Sequence, residues 1–304
     1  MRGRANPYLF LAFPMAVLGA FVLLPTVAGL ALSLFRWDGS GLPGFVGGEN
    51  FTNLAKDERF SAALVNTLVF VAFTVPLTTA LGFLLAVAAH ARWFRGRAAV
   101  RTMLFLPTII SIVALGFAWR WVLDRDGGLL PAMIRSVGLD PPDFLRGGAV
   151  LSFGSGDGAW TVAPWLTWPL LSIIGVQVWR GVGFCMVLYL AALASANESL
   201  YEAAEVDGAS RWQVLRRVTW PQVRPMTAFL LVTGVIGALQ VFDIVWATTA
   251  GAETNATNVL NLYVYREFQQ SRLGYAAAIG VVIFGLTVLA TAGQLILMRR
   301  SRSA

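Results

Sequence analysis

Four polar residues interrupt stretches that are otherwise apolar: Gln177 and Arg180 in one, Gln240 and Asp243 in another. Each glutamine precedes its charged neighbour by three positions, a spacing that puts both on one face of a helix. Inside a membrane such groups can hydrogen-bond a solute, compensate another charge, or relay protons. They are candidates for lining a solute path, with Trp179 or Trp246 offering a ring face for stacking. The alternatives are an Arg180–Asp243 pair locking two helices, or a charge snorkelling to the interface.

Covalent and metal chemistry have little to work with. Cys185 is the sole cysteine and His90 the sole histidine, which excludes a disulfide framework and a Cys/His metal cluster, and no thiolate–imidazole or metal-ligand grouping accompanies either residue. No catalytic residue, metal or cofactor is assigned. Lys56 is the only lysine, and no G-x-x-x-x-G-K-[ST] sequence surrounds it. The chain therefore cannot cradle ATP with a Walker loop.

The elements that must hold these residues are membrane helices. Of 304 residues, 57% are hydrophobic and 13% charged, against roughly 25% charged in a soluble domain. Apolar stretches of about 20 residues span a bilayer, and six are expected at 8–34, 62–89, 101–122, 169–194, 225–248 and 275–298. Pro14, Pro25, Pro76 and Pro107 fall inside them, where neighbouring helices can satisfy the freed carbonyls. The first follows a basic MRGR tail and is too long for a cleaved signal, so it reads as a signal-anchor.

Arginines set the orientation. Arg2 and Arg4, then Arg92, Arg95, Arg97 and Arg101, then Arg211, Arg216, Arg217 and Arg224, and finally Arg299, Arg300 and Arg302 fall on one side of a six-span chain. The long loop 123–168 on the other side carries Asp124, Asp126, Asp140, Asp143 and Asp157 against Arg125, Arg135 and Arg146. By the positive-inside rule both termini are expected in the cytoplasm. The net charge of +7 is then topological rather than a nucleic-acid footprint. Trp119, Trp121, Trp160, Trp165, Trp168 and Trp246 gather at outer ends and Trp93, Trp212 and Trp220 at inner ones, as an aromatic belt would. Residues 258–270 read as a short amphipathic helix outside the sixth span.

The cytoplasmic stretch 195–224 is unusually charged. Ser199 with Glu202 and Ser210 with Gln213 fit two capping boxes. Gly208 between them can take the left-handed turn that ends a helix. Pro221 is expected to end the second helix, giving short helices over roughly 199–207 and 211–219. Ala203 and Ala204 leave a smooth strip for close approach by another protein, beside the acidic edge of Glu202 and Glu205. Arg211 adds positive charge on the second helix. This mixture suits protein docking. The alternative is an amphipathic loop resting on headgroups.

In these residues the chain resembles the permease subunits of binding-protein-dependent ABC importers. Their signature runs E-A-A, three residues, G, nine residues, I-x-L-P. Here it reads Glu202-Ala203-Ala204, Gly208 and Val218-Thr219-Trp220-Pro221. GVGFCMVLYLAAL, QVFDIVWATTAG, LGYAAAIG and FRWDG extend the likeness over most of the chain, towards the maltose, glycerol-3-phosphate and multiple-sugar branch. The chain departs from the pattern at Trp220, where leucine is usual, and in AGAETNAT at 250–257, where Gly-Gly-Gly-Pro is common. LASANESLYEAA also lacks the proline often found before the signature.

The resemblance implies an all-α type I importer permease fold, a single transmembrane domain over 1–304 in which Glu202, Ala203, Ala204, Glu205, Gly208, Arg211 and Pro221 serve ATPase docking. It further implies a dimer of cytoplasmic ATP-binding subunits, a second and different permease subunit, and an extracytoplasmic solute-binding protein. The chain itself would be no enzyme. An ion-coupled secondary transporter using Arg180 and Asp243 is the rival reading; no internal inverted repeat supports it. An integral membrane enzyme lacks a clustered His, Cys or carboxylate set.

Overall fold

The computed structural model describes residues 7–90, 96–150, 152–153, 160–161, 165–249 and 255–303. Arg2, Arg4, Arg92, Trp93, Arg95, Asp157 and residues 250–254 of the AGAETNAT segment lie outside them.

In chain order the helices are α1 (Pro7–Leu18), α2 (Leu24–Leu32), α3 (Glu49–Lys56), α4 (Glu58–His90), α5 (Arg97–Ile109), α6 (Ile112–Val122) and α7 (Leu129–Ser136). They continue as α8 (Trp168–Ala194), α9 (Glu198–Val206), α10 (Arg211–Val214), α11 (Trp220–Leu239), α12 (Asp243–Thr249), α13 (Leu260–Gln269) and α14 (Leu273–Ser303). Two antiparallel ribbons pair β1 (Phe35–Arg36) with β2 (Gly44–Phe45) and β3 (Ser152–Phe153) with β4 (Trp160–Thr161). Among the described residues five helical stretches are long and apolar enough to cross a bilayer: Phe10–Leu32, Glu58–His90, Trp168–Ala194, Arg211–Leu239 and Leu273–Ile296. A sixth exists only as the bent pair α5–α6.

The expected span over 101–122 is sharply bent. α5 and α6 meet at 100°, because Ile110 (φ −70°, ψ 140°) and Ser111 (φ −53°, ψ 128°) are extended. Pro107 adds to the break by withholding a backbone N–H one turn earlier. The expected span 225–248 is also interrupted: α11 ends at Leu239, and α12 starts anew at Asp243. The break turns Val241, Ile244 and Val245 inward and leaves Asp243 in a helix's first turn, where the dipole favours a carboxylate.

Two spans carry a wide turn beside a proline. Gly19–Leu23 is π-helical between α1 and α2, with the Leu24 N–H bonding Gly19 O just before Pro25. Leu215–Thr219 does the same between α10 and α11, with the Trp220 N–H bonding Leu215 O just before Pro221. A proline ring would clash with the carbonyl four residues back in a regular helix; widening the turn moves that carbonyl aside. Pro221 thus does not end the second helix of the 195–224 loop, as expected from sequence. Residues 211–239 run on as one rod.

The chain divides into two compact units. In the first (residues 1–61 and 260–286) Asp57 precedes α4 and accepts four hydrogen bonds. Its Oδ1 takes the backbone N–H groups of Arg59 (2.8 Å) and Phe60 (3.4 Å), and its Oδ2 the hydroxyls of Tyr275 (2.7 Å) and Tyr263. Burial alone would raise its pKa, but the four donors outweigh this and hold the carboxyl below the usual range. The same contact, together with burial, pushes the Tyr263 hydroxyl far up. Since the folded carboxyl ionises below its unfolded value, its contribution is full above about pH 4 and is lost as pH falls through the folded pKa. Asp57→Ala should lower stability by about 2 kcal/mol near neutral pH, in line with a lost helix cap and charged hydrogen bonds. Thermal unfolding of both proteins from pH 7 down to pH 3 checks this, with the gap closing in acid.

The second unit (residues 62–259 and 287–304) has its core where α4, α8 and α11 meet: Phe83, Ala86, Met186, Tyr189, Leu193, Val223 and Leu230. Small residues let the backbones close in, as membrane helices require in the absence of a hydrophobic drive between them. Gly82 lies against Cys185, Gly183 against the Leu104 carbonyl and Gly116 against Ala247. These contacts set the positions of the two candidate sites.

Candidate functional site

Two sites emerge in the second unit. The first is a 310 Å³ cavity between α4, α5, α8 and α11. Thr74, Thr78 and Thr79 face it from α4, Thr108 from α5, Gln177 and Arg180 from α8, and Thr233 from α11. Its polarity is unspent. Among the described residues six buried side-chain N or O atoms have no hydrogen-bond partner, and four are here: Thr74 Oγ1, Thr78 Oγ1, Gln177 Oε1 and Arg180 Nε. Such atoms cost roughly 1–3 kcal/mol each when left bare, and four of them converge on this one cavity. The Thr108 hydroxyl donates to Arg180 O at 3.0 Å and fixes α5 to α8 beside the cavity.

The residues picked out from sequence divide here. Gln177 and Arg180 share the cavity, as their spacing on one unbroken helix predicts. Trp179 projects elsewhere, edge-on to Trp119 at 5.4 Å between centroids. Gln240 and Asp243 do not share a helical face as expected, since the α11–α12 break falls between them; both are exposed and neither lines the cavity. Trp246 packs against Phe117. The five threonines carry no motif in the sequence. Their only signal was threonine recurring at 74, 78 and 79 on a single helix.

The second site is the charged segment. α9 is capped by Asn197, whose Oδ1 accepts from Ser199 N (3.1 Å) and Ser199 Oγ (2.8 Å). This corrects the expected Ser199–Glu202 box: Asn197 is itself a strong cap residue and starts the helix one residue earlier. At the other end Gly208 takes φ +67°. The Ala209 N–H reaches Ala204 O (2.9 Å) and the Gly208 N–H reaches Glu205 O (3.1 Å), the paired bonds of a Schellman motif. The Ser210–Gln213 capping box forms in both directions, at 3.4 and 2.7 Å.

This segment exposes Glu202, Ala203, Glu205, Gly208, Arg211 and Pro221. Ala204 departs from expectation: it is buried within the chain, so only Ala203 is open for close approach. More telling are apolar side chains to which the sequence assigns no docking role, Trp212 among them as a belt residue. Val206 is 88% exposed and Trp212 67%, with Leu200 beside them in the same helical hairpin. Trp220, the unusual residue of the signature, meets Phe83 edge-on at 5.4 Å, and Phe83 in turn meets Tyr189. The larger side chain is thus used to join the segment to the core.

Known proteins are similar to this chain in sequence and fold. Residues 65–303 match the family described as binding-protein-dependent transport system inner membrane component. The lactose transport system permease protein LacF of Rhizobium radiobacter is 33% identical over 91% of this chain and 89% of its own length. The diacetylchitobiose uptake system permease protein NgcF of Streptomyces coelicolor is 31% identical over 92% of this chain and 78% of its own. Among solved structures, a chain of a bacterial alginate ABC transporter in complex with alginate pentasaccharide-bound periplasmic protein superposes with a TM-score of 0.78. It is 27% identical, covering 98% of this chain and 95% of that one. Sequence match, fold and the helix–turn–helix between α8 and α11 agree: the chain is an ABC importer permease subunit and belongs to the binding-protein-dependent transport system inner membrane component family.

Proposed function

We propose that the chain forms half of a translocation pathway for a sugar or related solute and is driven by a separate ATPase. A dimer of cytoplasmic ATP-binding subunits docks on α9 and α10, a second and different permease subunit completes the pathway, and an extracytoplasmic solute-binding protein delivers the solute. Both termini face the cytoplasm, as the arginine distribution favours. The observation that carries this reading is the α9–α10 hairpin, capped at both helix starts and presenting Val206 and Trp212 to solvent. Exposed large apolar groups among charges are what a protein partner covers. Nothing in this chain performs chemistry; it changes conformation as partners bind one state better than another.

The solute passes the threonine-lined cavity, where hydroxyls, an amide and a guanidinium offer hydrogen bonds without a carboxylate. The sugar-transporting relatives support a polyhydroxylated guest. The rival secondary-transport reading draws no support, because Asp243 stands away from the cavity that holds Arg180.

Expression with candidate ATP-binding and permease partners tests the assembly: the ATPase should co-purify, and its activity should rise with the cognate solute-binding protein. Co-purification failing with every partner encoded alongside would refute the docking claim. For the path, Gln177→Leu or Arg180→Leu should slow uptake about ten- to a hundredfold, the worth of hydrogen bonds to a charged group, with co-purification unchanged. Uptake assays starting from lactose and diacetylchitobiose provide the readout, and wild-type rates in both variants would remove these residues from the path.

A further inference from the structure

We infer that Gln222 is a positioning residue that locks α9 to the helical rod 211–239, so that a push on the hairpin turns the rod instead of swivelling α9. The inference rests on the docking role proposed above.

Gln222 uses both ends of its amide. Its Oε1 accepts the backbone N–H of Asn197 at 2.9 Å, and its Nε2 donates to Val218 O at 3.3 Å. Val218 lies in the π-helical turn just before α11. One side chain therefore joins the widened turn of its own helix to the residue that caps α9.

A single hydrogen bond is a pivot; a second, displaced from it, fixes orientation. The second is present. Tyr201 donates its hydroxyl to Thr219 Oγ1 at 3.4 Å, and Tyr201 lies four residues, about one helical turn of 5.4 Å, beyond Asn197. The two ties grip α9 at both ends of its first turn. Beyond them the path into the membrane core is continuous, because Trp220 packs on Phe83 and Tyr189 bonds Thr227 at 2.9 Å. Of the two ties, that of Gln222 is the shorter and the only one anchored on backbone at both ends.

The test is a distance distribution measured by pulsed electron paramagnetic resonance on the full chain in lipid nanodiscs. Nitroxides are placed at Asp207→Cys on the hairpin turn and Phe229→Cys on the rod, both exposed, with the buried native Cys185 replaced by alanine. The parent chain should give one narrow distribution. Gln222→Ala should raise the fraction of detached, longer distances roughly fivefold, the factor a single lost hydrogen bond carries. Gln222→Glu retains the acceptor for Asn197 and should restore the narrow distribution, which a general loss of stability would not allow. An unchanged distribution in Gln222→Ala, or a broad one in Gln222→Glu, would overturn the inference. No ATPase is present in this measurement, so its outcome stands apart from whether docking occurs; adding the co-purified ATPase tests docking separately.

Discussion

Trp212→Ala combined with Val206→Asp should leave the chain folded in the membrane and strip the ATP-binding subunit from it. Both side chains are the most exposed large apolar groups between α8 and the signature proline, and neither supports the chain's own core. Their removal therefore costs the fold little. At an interface, tryptophan is a typical anchor, and truncation of such a residue costs 2 kcal/mol or more, about thirtyfold in affinity. A buried aspartate in place of Val206 adds an unpaired charge to the loss. Co-purification and binding-protein-stimulated ATP hydrolysis should both fall by at least about thirtyfold on that arithmetic. Glu202→Lys, a charge reversal at the rim, should act more weakly and depend on salt. Wild-type recovery of the ATPase with the double variant would place the docking surface elsewhere.

Gly183→Leu should prevent the chain from accumulating in the membrane. A side chain at this position meets the carbonyl oxygen and carbon of Leu104 and the Cα of Phe105, all backbone atoms. A flexible neighbour could rotate away; a helix backbone cannot, so α5 would have to leave α8. The displacement would break the Thr108–Arg180 bond and disturb the cavity that both residues line. Overpacking a tight core costs 1–3 kcal/mol and sometimes more, a large share of a stability of about 5–15 kcal/mol. Gly175→Ala is the control, on the same helix with nothing within 4 Å of the added carbon. Membrane yield and the midpoint of thermal aggregation in detergent should collapse for the first and hold for the second. Similar values for both would show that α5 and α8 pack less closely than described.

The sequence carries the parts of this structure that depend on local chemistry. Gly208 ends α9 in the left-handed region, and Ser210 with Gln213 closes a capping box, because each is a short-range choice among a few residue types. The spans around 8–34, 62–89, 169–194 and 275–298 follow from length and apolarity alone. The misreadings share a cause: hydropathy averages over a window and is blind to the backbone within it. Ile110 and Ser111 are compatible with a straight span by composition, yet they turn the chain through 100°. Gln240 and Asp243 were joined by a periodicity that the α11–α12 break removes. Ala204 is buried, and Trp220 finds Phe83, through contacts between residues far apart in the chain. Asp57 carried no motif at all. Its importance appears only when Tyr263 and Tyr275, more than two hundred residues later, arrive at the same oxygen.

The wide turn at Leu215–Thr219 has a consequence for comparing relatives. A π-helical turn takes in one residue more than an α-helical one for nearly the same reach. The interval from Gly208 to Pro221 therefore counts one residue beyond what a plain helix would need to aim the hairpin in the same direction. Insertions and deletions in this interval act as a ruler with no tolerance: removing one residue while keeping the wide turn would swing α9 about 100° around the rod. A relative with an ordinary helix here should be one residue shorter and should carry something other than proline at the position of Pro221. Alignment length across thirteen positions then reports the shape of a helix, as surely as any residue within it.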